Sequence, residues 1–178
     1  TQSHSRQLAD FIEKKWKETH AESQIVYRDL SKTDIPHLSN ETITGFYTTA
    51  DNMTLALKRA TALSDELIDE LKRADEIIIS SPLYNLSTPS VLKAYIDQIV
   101  RSGHTFAVQA DGSYKGLLKG RRVHLALVMG AFYTNDSHRL PDFQGPHLKA
   151  ILNLIGLEVA NLFLLEGTAD PNAMERNL

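Results

Sequence analysis

Cysteine is absent from the 178 residues, which removes disulfide bonds, thiolate nucleophiles and thiolate metal ligands together. No apolar run approaches the ~18 residues that point to a membrane-spanning helix, so no membrane association is expected. No charged-then-apolar leader is expected either, and from the lack of cysteine the expected location is the cytoplasm. With 19 Lys and Arg against 22 Asp and Glu, the net charge is −3. No dense basic run supplies the electrostatic footprint of a nucleic-acid partner. His4, His20, His37, His104, His138 and His147 are scattered without the i, i+4 or paired spacing of a zinc site, and His124 sits inside an apolar run. No metal is expected. Also missing are a G-x-S-x-G elbow, a G-x-x-x-x-G-K phosphate loop and a G-x-G-x-x-G fingerprint, which takes the best support from hydrolase, kinase and dinucleotide-fold dehydrogenase readings.

What is present fits one globular domain over residues 1–178, with 42% hydrophobic and 23% charged residues. The organising stretch is 76–103. Ile77, Ile78 and Ile79 form a β-branched run expected of a parallel strand covered on both faces. Pro82 stops it. Thr88 and Pro89 read as an N-cap and a first helical residue. Val91, Leu92, Tyr95, Ile96, Ile99 and Val100 then recur on one helical face, and Gly103 is expected to end the helix in the left-handed conformation. The loop between strand and helix leaves the carboxyl end of a strand, where open α/β sheets place ligands.

In chain order, Leu8, Phe11, Ile12 and Trp16 predict the buried face of a helix over 5–19, and residues 24–30 predict a strand. Residues 31–53 turn polar and are expected to form a long surface excursion. Leu63, Leu67 and Leu71 mark a helix whose Asp65, Glu66, Asp69 and Glu70 are expected on a solvated face. After Gly103, an Asp111-Gly112 signal predicts a hairpin-like excursion. Lys115, Lys119, Arg121 and Arg122 read as another solvated face. A buried strand over 122–128, a turn over 129–133, a helix from Pro146 to Gly156 and a strand over 157–165 follow. Asp170-Pro171-Asn172 is expected to open a last helix. Alternating helices and strands predict an α/β three-layer sandwich with a parallel sheet of flavodoxin-like order 2-1-3-4-5. On that order the central first strand is expected upstream of Thr1, and both termini are expected to be trimmed or disordered.

Three loops are expected to gather at the carboxyl edge. Ser3 and Ser5 bring hydroxyls to a helix start, a cradle for a phosphate dianion or an ordinary N-cap. Pro82, Leu83, Tyr84, Asn85 and Leu86 offer an aromatic, an amide and apolar flanks without an acid, base or nucleophile. This composition suits a flat heterocycle, or else a capped turn with Tyr84 on the core. Met129, Gly130, Ala131, Phe132 and Tyr133 form a turn in which Gly130 admits close backbone approach.

The sequence resembles the FMN-dependent NADH azoreductases, flavodoxin-like quinone reductases, over essentially its whole length. Ser3-His4-Ser5-Arg6-Gln7-Leu8 is similar to the family's S-x-S-R-x-L phosphate segment, and the 82–86 loop to its P-M-Y-N-F flavin loop. Leu92-Lys93-Ala94-Tyr95-Ile96-Asp97, Arg101-Ser102-Gly103-His104-Thr105-Phe106, and Gly116-Leu117 with Gly120-Arg121-Arg122 resemble three further runs. The resemblance implies that Ser3, His4 and Ser5 hold the FMN phosphate and that Pro82, Leu83, Tyr84, Asn85 and Leu86 line the isoalloxazine. Val128, Met129, Gly130, Ala131 and Tyr133 would meet the pyrimidine edge, with Phe106 and Tyr133 beside the substrate. It also implies a homodimer with the site at its interface. Val128-Met129-Gly130-Ala131-Phe132-Tyr133 departs from the family's S-R-G-G-x-[HY], losing a hydroxyl and a guanidinium.

The expected activity is therefore hydride transfer from NADH or NADPH to FMN, then two-electron reduction of a quinone or azo compound. No catalytic side chain is demanded. The alternative is a flavin-binding electron carrier or sensor without turnover. A carrier calls for an acidic docking surface, whereas Lys93, Arg101, Lys115 and Arg139 are expected near the loops.

Overall fold

The computed structural model describes residues 3–133 and 141–170. Helices α1 (His4–Thr19), α2 (Asn40–Tyr47) and α3 (Leu55–Arg73) lead into β1 (Glu76–Pro82) and α4 (Ser90–Ile99). A short antiparallel hairpin, β2 (Phe106–Val108) and β3 (Tyr114–Gly116), precedes β4 (Arg122–Val128), α5 (Gln144–Ile155) and β5 (Glu158–Leu165). β1, β4 and β5 form a parallel sheet in the order β1-β4-β5.

Side chains alternate across a strand, and β4 divides the molecule accordingly. Val123, Leu125 and Leu127 join the core built by Leu67, Ile68 and Leu71 of α3, Leu92, Ile96 and Ile99 of α4, and Leu148, Leu152 and Ile155 of α5. His124 turns to the other face, under Trp16 of α1, with ring centroids 5.9 Å apart. There its Nε2 meets Glu76 Oε2 at 2.9 Å and its Nδ1 meets the Asn161 amide at 2.9 Å. The histidine noticed inside an apolar run thus closes a polar row across three strands.

Several expectations are corrected. Residues 24–30 join no ladder. Val26 and Tyr27 are exposed, and Arg28 ties the segment to α3 through Glu66 and Glu70 rather than to a strand. β1 is an edge of the described sheet, and Ile78 is 38% exposed where cover on both faces is expected. The 31–53 excursion contains α2, started by Ser39 Oγ accepting from Thr42 N–H at 3.1 Å. Phe11 is exposed on α1. Pro89 rather than Thr88 is the N-cap of α4, and Gly103, at φ 76°, turns the chain beyond that helix instead of ending it. α5 starts at Gln144, ahead of Pro146, because Asp142 Oδ1 accepts from the Gln144 and Gly145 N–H groups at 2.7 and 3.2 Å. Nor is the acidic row of α3 simply solvated. Glu66 and Glu70 clamp Arg28, and Asp65 takes the buried Arg101 at 2.6 Å. On the basic side, Arg122 pairs with Glu76. The last helix expected after Asp170 lies outside the described residues.

Candidate active site

Parallel strands end at a common edge, and the three loops singled out in the sequence leave from that edge. Ser80, near the end of β1, donates its hydroxyl to the Ser5 carbonyl at 2.5 Å, which seats the start of α1 beside the sheet. Leu83 N–H donates to the Val128 carbonyl at 2.8 Å, joining the second loop to the third. The third is strapped from the far side by the residues after β5. Met129 N–H donates to Leu165 O, while Thr168, Ala169 and Gly167 N–H groups donate to the carbonyls of Met129, Gly130 and Ala131.

At the first loop, Ser3 is the N-cap of a 16-residue helix and makes no side-chain cap bond. Its Oγ instead lies 2.9 Å from Ser5 Oγ. Two hydroxyls therefore stand over a helix start, whose first N–H groups lack intrahelical partners and whose dipole favours an anion. Arg6 directs its guanidinium away, to Asp29 at 2.8 Å and Ser31 at 2.9 Å. The Ser31 hydroxyl bond and Arg6 hold the Asp29 carboxyl below its ordinary value.

In the second loop Tyr84 and Ser87 exchange both backbone hydrogen bonds at 3.0 Å. The two residues between them, Asn85 and Leu86, have φ of 48° and 67°, the sign that a type I′ turn requires at both positions. Tyr84 is 61% exposed, so it does not belong to the core, while Leu83 packs against it. Among the described residues the N–H groups of Asn85, Leu86, Gly130 and Ala131 have no hydrogen-bond partner. A Cβ built on Gly130 would meet only Ala169 Cβ, at 3.6 Å, so its backbone is open to close approach. Tyr133 N–H donates to Glu166 Oε1 at 2.8 Å.

The loops thus present an anion cradle at one end and N–H donors beside apolar side chains at the other. That donor set fits FMN: phosphate at the helix start and a planar ring along the second and third loops. The Val128 and Met129 side chains are buried, and the Val128 carbonyl and both Met129 backbone groups are already bonded within the protein, so Gly130 and Ala131 carry the open donors of this loop. Phe106 is not brought to this edge by its own chain. It pairs with Gly116 of β3, and Gly116 packs against Gly156 at the carboxyl end of α5, at the amino edge of the sheet. The expected basic surround also dissolves. Lys93 is paired with Asp97, Arg101 is buried on Asp65, Lys115 lies on the distant hairpin, and Arg139 is outside the described residues. A separate groove of about 370 Å³ between α2, α4 and α5, lined by Ile43, Phe46 and Ile151 among others, touches none of the three loops.

Sequence reasoning missed Gln144, Glu166 and Thr168, which hold the loops from behind. Asp142 just ahead of Gln144 was a readable helix-start signal. The contacts of Gln144 with residues 81 and 82, far away in the chain, leave no local pattern.

Comparison with known proteins agrees with this geometry. A family model described as flavodoxin-like fold matches residues 1–178. An FMN-dependent NADH:quinone oxidoreductase of Hydrogenovibrio crunogenus is 40% identical over 171 residues, 96% of this chain and 84% of that protein. One of the same name from Photorhabdus laumondii is 39% identical over 167 residues, 94% and 82% respectively. Among solved structures, an FMN-dependent NADH-azoreductase from Bacillus anthracis in complex with FMN superimposes with a TM-score of 0.84 at 27% identity, covering 98% of this chain and 86% of that one. Sheet order, site geometry and these matches agree, and the chain belongs to the flavodoxin-like fold family.

Proposed function

We propose that this protein is an FMN-dependent oxidoreductase that carries a hydride equivalent from NADH to a quinone or azo compound. The observation that carries the reading is the meeting, at one sheet edge, of a hydroxyl-bearing helix start with two loops whose backbone donors flank apolar side chains, in a chain whose relatives are named for this activity. The chemistry supplied by bound FMN is two-electron transfer between nicotinamide and acceptor. Ser3, His4 and Ser5 would hold the phosphate. Pro82, Leu83, Tyr84, Asn85 and Leu86 would line the ring and keep water from one side of it. N–H groups at Gly130 and Ala131 would stabilise negative charge at the pyrimidine edge, work that needs donors placed in advance rather than a side-chain acid. Tyr133 would flank the acceptor, and Phe106 would do so from a second copy in a homodimer. No helix among the described residues is long and apolar enough to cross a membrane, and the cytoplasm is the location we assign.

The test is reconstitution. Protein incubated with FMN and freed of excess should be yellow, bleach with NADH, and recover its colour when a naphthoquinone or an azo dye is added. Substituting NADPH reads the choice of donor. Colourless protein, or flavin that NADH leaves oxidised, overturns the reading. Bleaching without reoxidation by either acceptor overturns the acceptor class, and steady turnover excludes a pure carrier.

A further inference from the structure

Gln144, the first residue of α5, is fully buried. Its side chain serves neither the apolar core nor its own helix. Nε2 donates to Ser81 Oγ at 2.9 Å and to the Pro82 carbonyl at 2.8 Å. Ser81 Oγ donates to the same carbonyl at 3.1 Å. The preceding residue, Phe143, donates its N–H to the Leu86 carbonyl at 2.9 Å. Adjacent residues at one helix start therefore grip the first and last carbonyls of the 82–86 loop, and Asp142 fixes that start by accepting from the Gln144 and Gly145 N–H groups.

The grip has a cost. Gln144 Oε1 is buried with no partner among the described residues, and an acceptor taken out of water without a new partner is destabilising. An apolar side chain of similar volume would fill the space without it, and Pro82 O would still receive Ser81. Stability alone thus gives no reason for an amide here.

We propose that Gln144 is a positioning residue for the redox reaction: by holding the Pro82 carbonyl and the Ser81 hydroxyl it fixes where the 82–86 loop meets the flavin ring, and so sets how strongly the site prefers reduced over oxidised FMN. The inference rests on the reading that this loop lines FMN. Two donors on the Pro82 carbonyl soften the negative end of a dipole beside a ring that gains electrons, so removing one disfavours the reduced form.

The experiment measures, for wild type, Gln144→Leu, Gln144→Glu and Ser81→Ala, the dissociation constant of oxidised FMN, the midpoint potential of the bound flavin, and the urea midpoint of the apoprotein. Gln144→Leu is expected to change the ratio of affinities for oxidised and reduced FMN about tenfold against the reduced form, a potential lower by about 30 mV for a two-electron couple. Gln144→Glu should move it further in the same direction and Ser81→Ala less. A folded Gln144→Leu variant that holds FMN at the wild-type potential overturns the inference. If that variant does not fold, Gln144→Met and Ser81→Ala carry the test, and wild-type potentials in both overturn it. Wild-type protein that holds no FMN overturns the functional reading, and this inference with it.

Discussion

Ser3 and Ser5 show how much a residue's neighbours decide. Serine at a helix start ordinarily bonds back to its own helix, yet here Ser3 makes no cap bond and its hydroxyl meets that of Ser5 at 2.9 Å. With Arg6 committed to Asp29 and Ser31, any anion at this helix start depends on hydroxyls and backbone N–H groups. A hydrogen bond to a charged group contributes about 1.5–3 kcal/mol, and about 1.4 kcal/mol is tenfold in affinity. Ser5→Ala is therefore expected to weaken FMN binding about tenfold. Riboflavin, which has the ring but no phosphate, should bind wild type and variant alike. Fluorescence titration with both ligands checks this, and an equal loss for both would place the serines elsewhere than on the phosphate.

Elements are held by contacts the sequence hides to different degrees. Arg101, just past α4, is 5% exposed, bonds Asp65 of α3 at 2.6 Å and stacks on Phe46 of α2 with its guanidinium carbon 4.7 Å from the ring centroid. One cation thus joins three helices. Breaking a buried pair from the anion side leaves an uncompensated charge, whereas replacing the cation by an apolar side chain removes the problem. Asp65 is about half exposed and water takes up part of its role, so Asp65→Ala is expected to lower stability by about 1–3 kcal/mol. Arg101→Met should cost less. Urea unfolding of both variants and their double mutant checks the order, and a larger loss for Arg101→Met would mean that the cation contributes chiefly through packing. The same elements show what could be read in advance. β4 was legible because Val123, Leu125 and Leu127 alternate with residues that also need cover, and the hairpin because Asp111-Gly112 names its turn. The start of α2 was missed although Ser39 is a good cap, since a short helix inside a polar tract has too few apolar repeats to stand out. The I′ turn was hidden because leucine is a poor choice at Leu86's positive φ. The grip of Gln144 on the 82–86 loop is purely tertiary.

At the scale of the whole molecule, one chain does not bring all of its expected site together. β4 runs over seven residues, about 20 Å at ~3.3 Å per residue, with the 82–86 and 129–133 loops at its carboxyl end and the Phe106 hairpin anchored at its amino end. A monomer cannot bring Phe106 to the carboxyl edge without refolding the hairpin, so the proposed role for Phe106 at the acceptor requires a second copy. Complementation between two defective chains tests this. Phe106→Ala should bind FMN normally and show a raised KM for the quinone. Ser3→Ala/Ser5→Ala, at an FMN concentration between the two dissociation constants, should remain largely unloaded and inactive. When the two are mixed and allowed to exchange subunits, FMN loads the Phe106→Ala chain while its partner supplies an intact Phe106, and turnover at low quinone should rise well above the mean of the separate proteins. Activity that stays at that mean, or a mixture that sediments as monomers, would remove both the homodimer and Phe106 from the site.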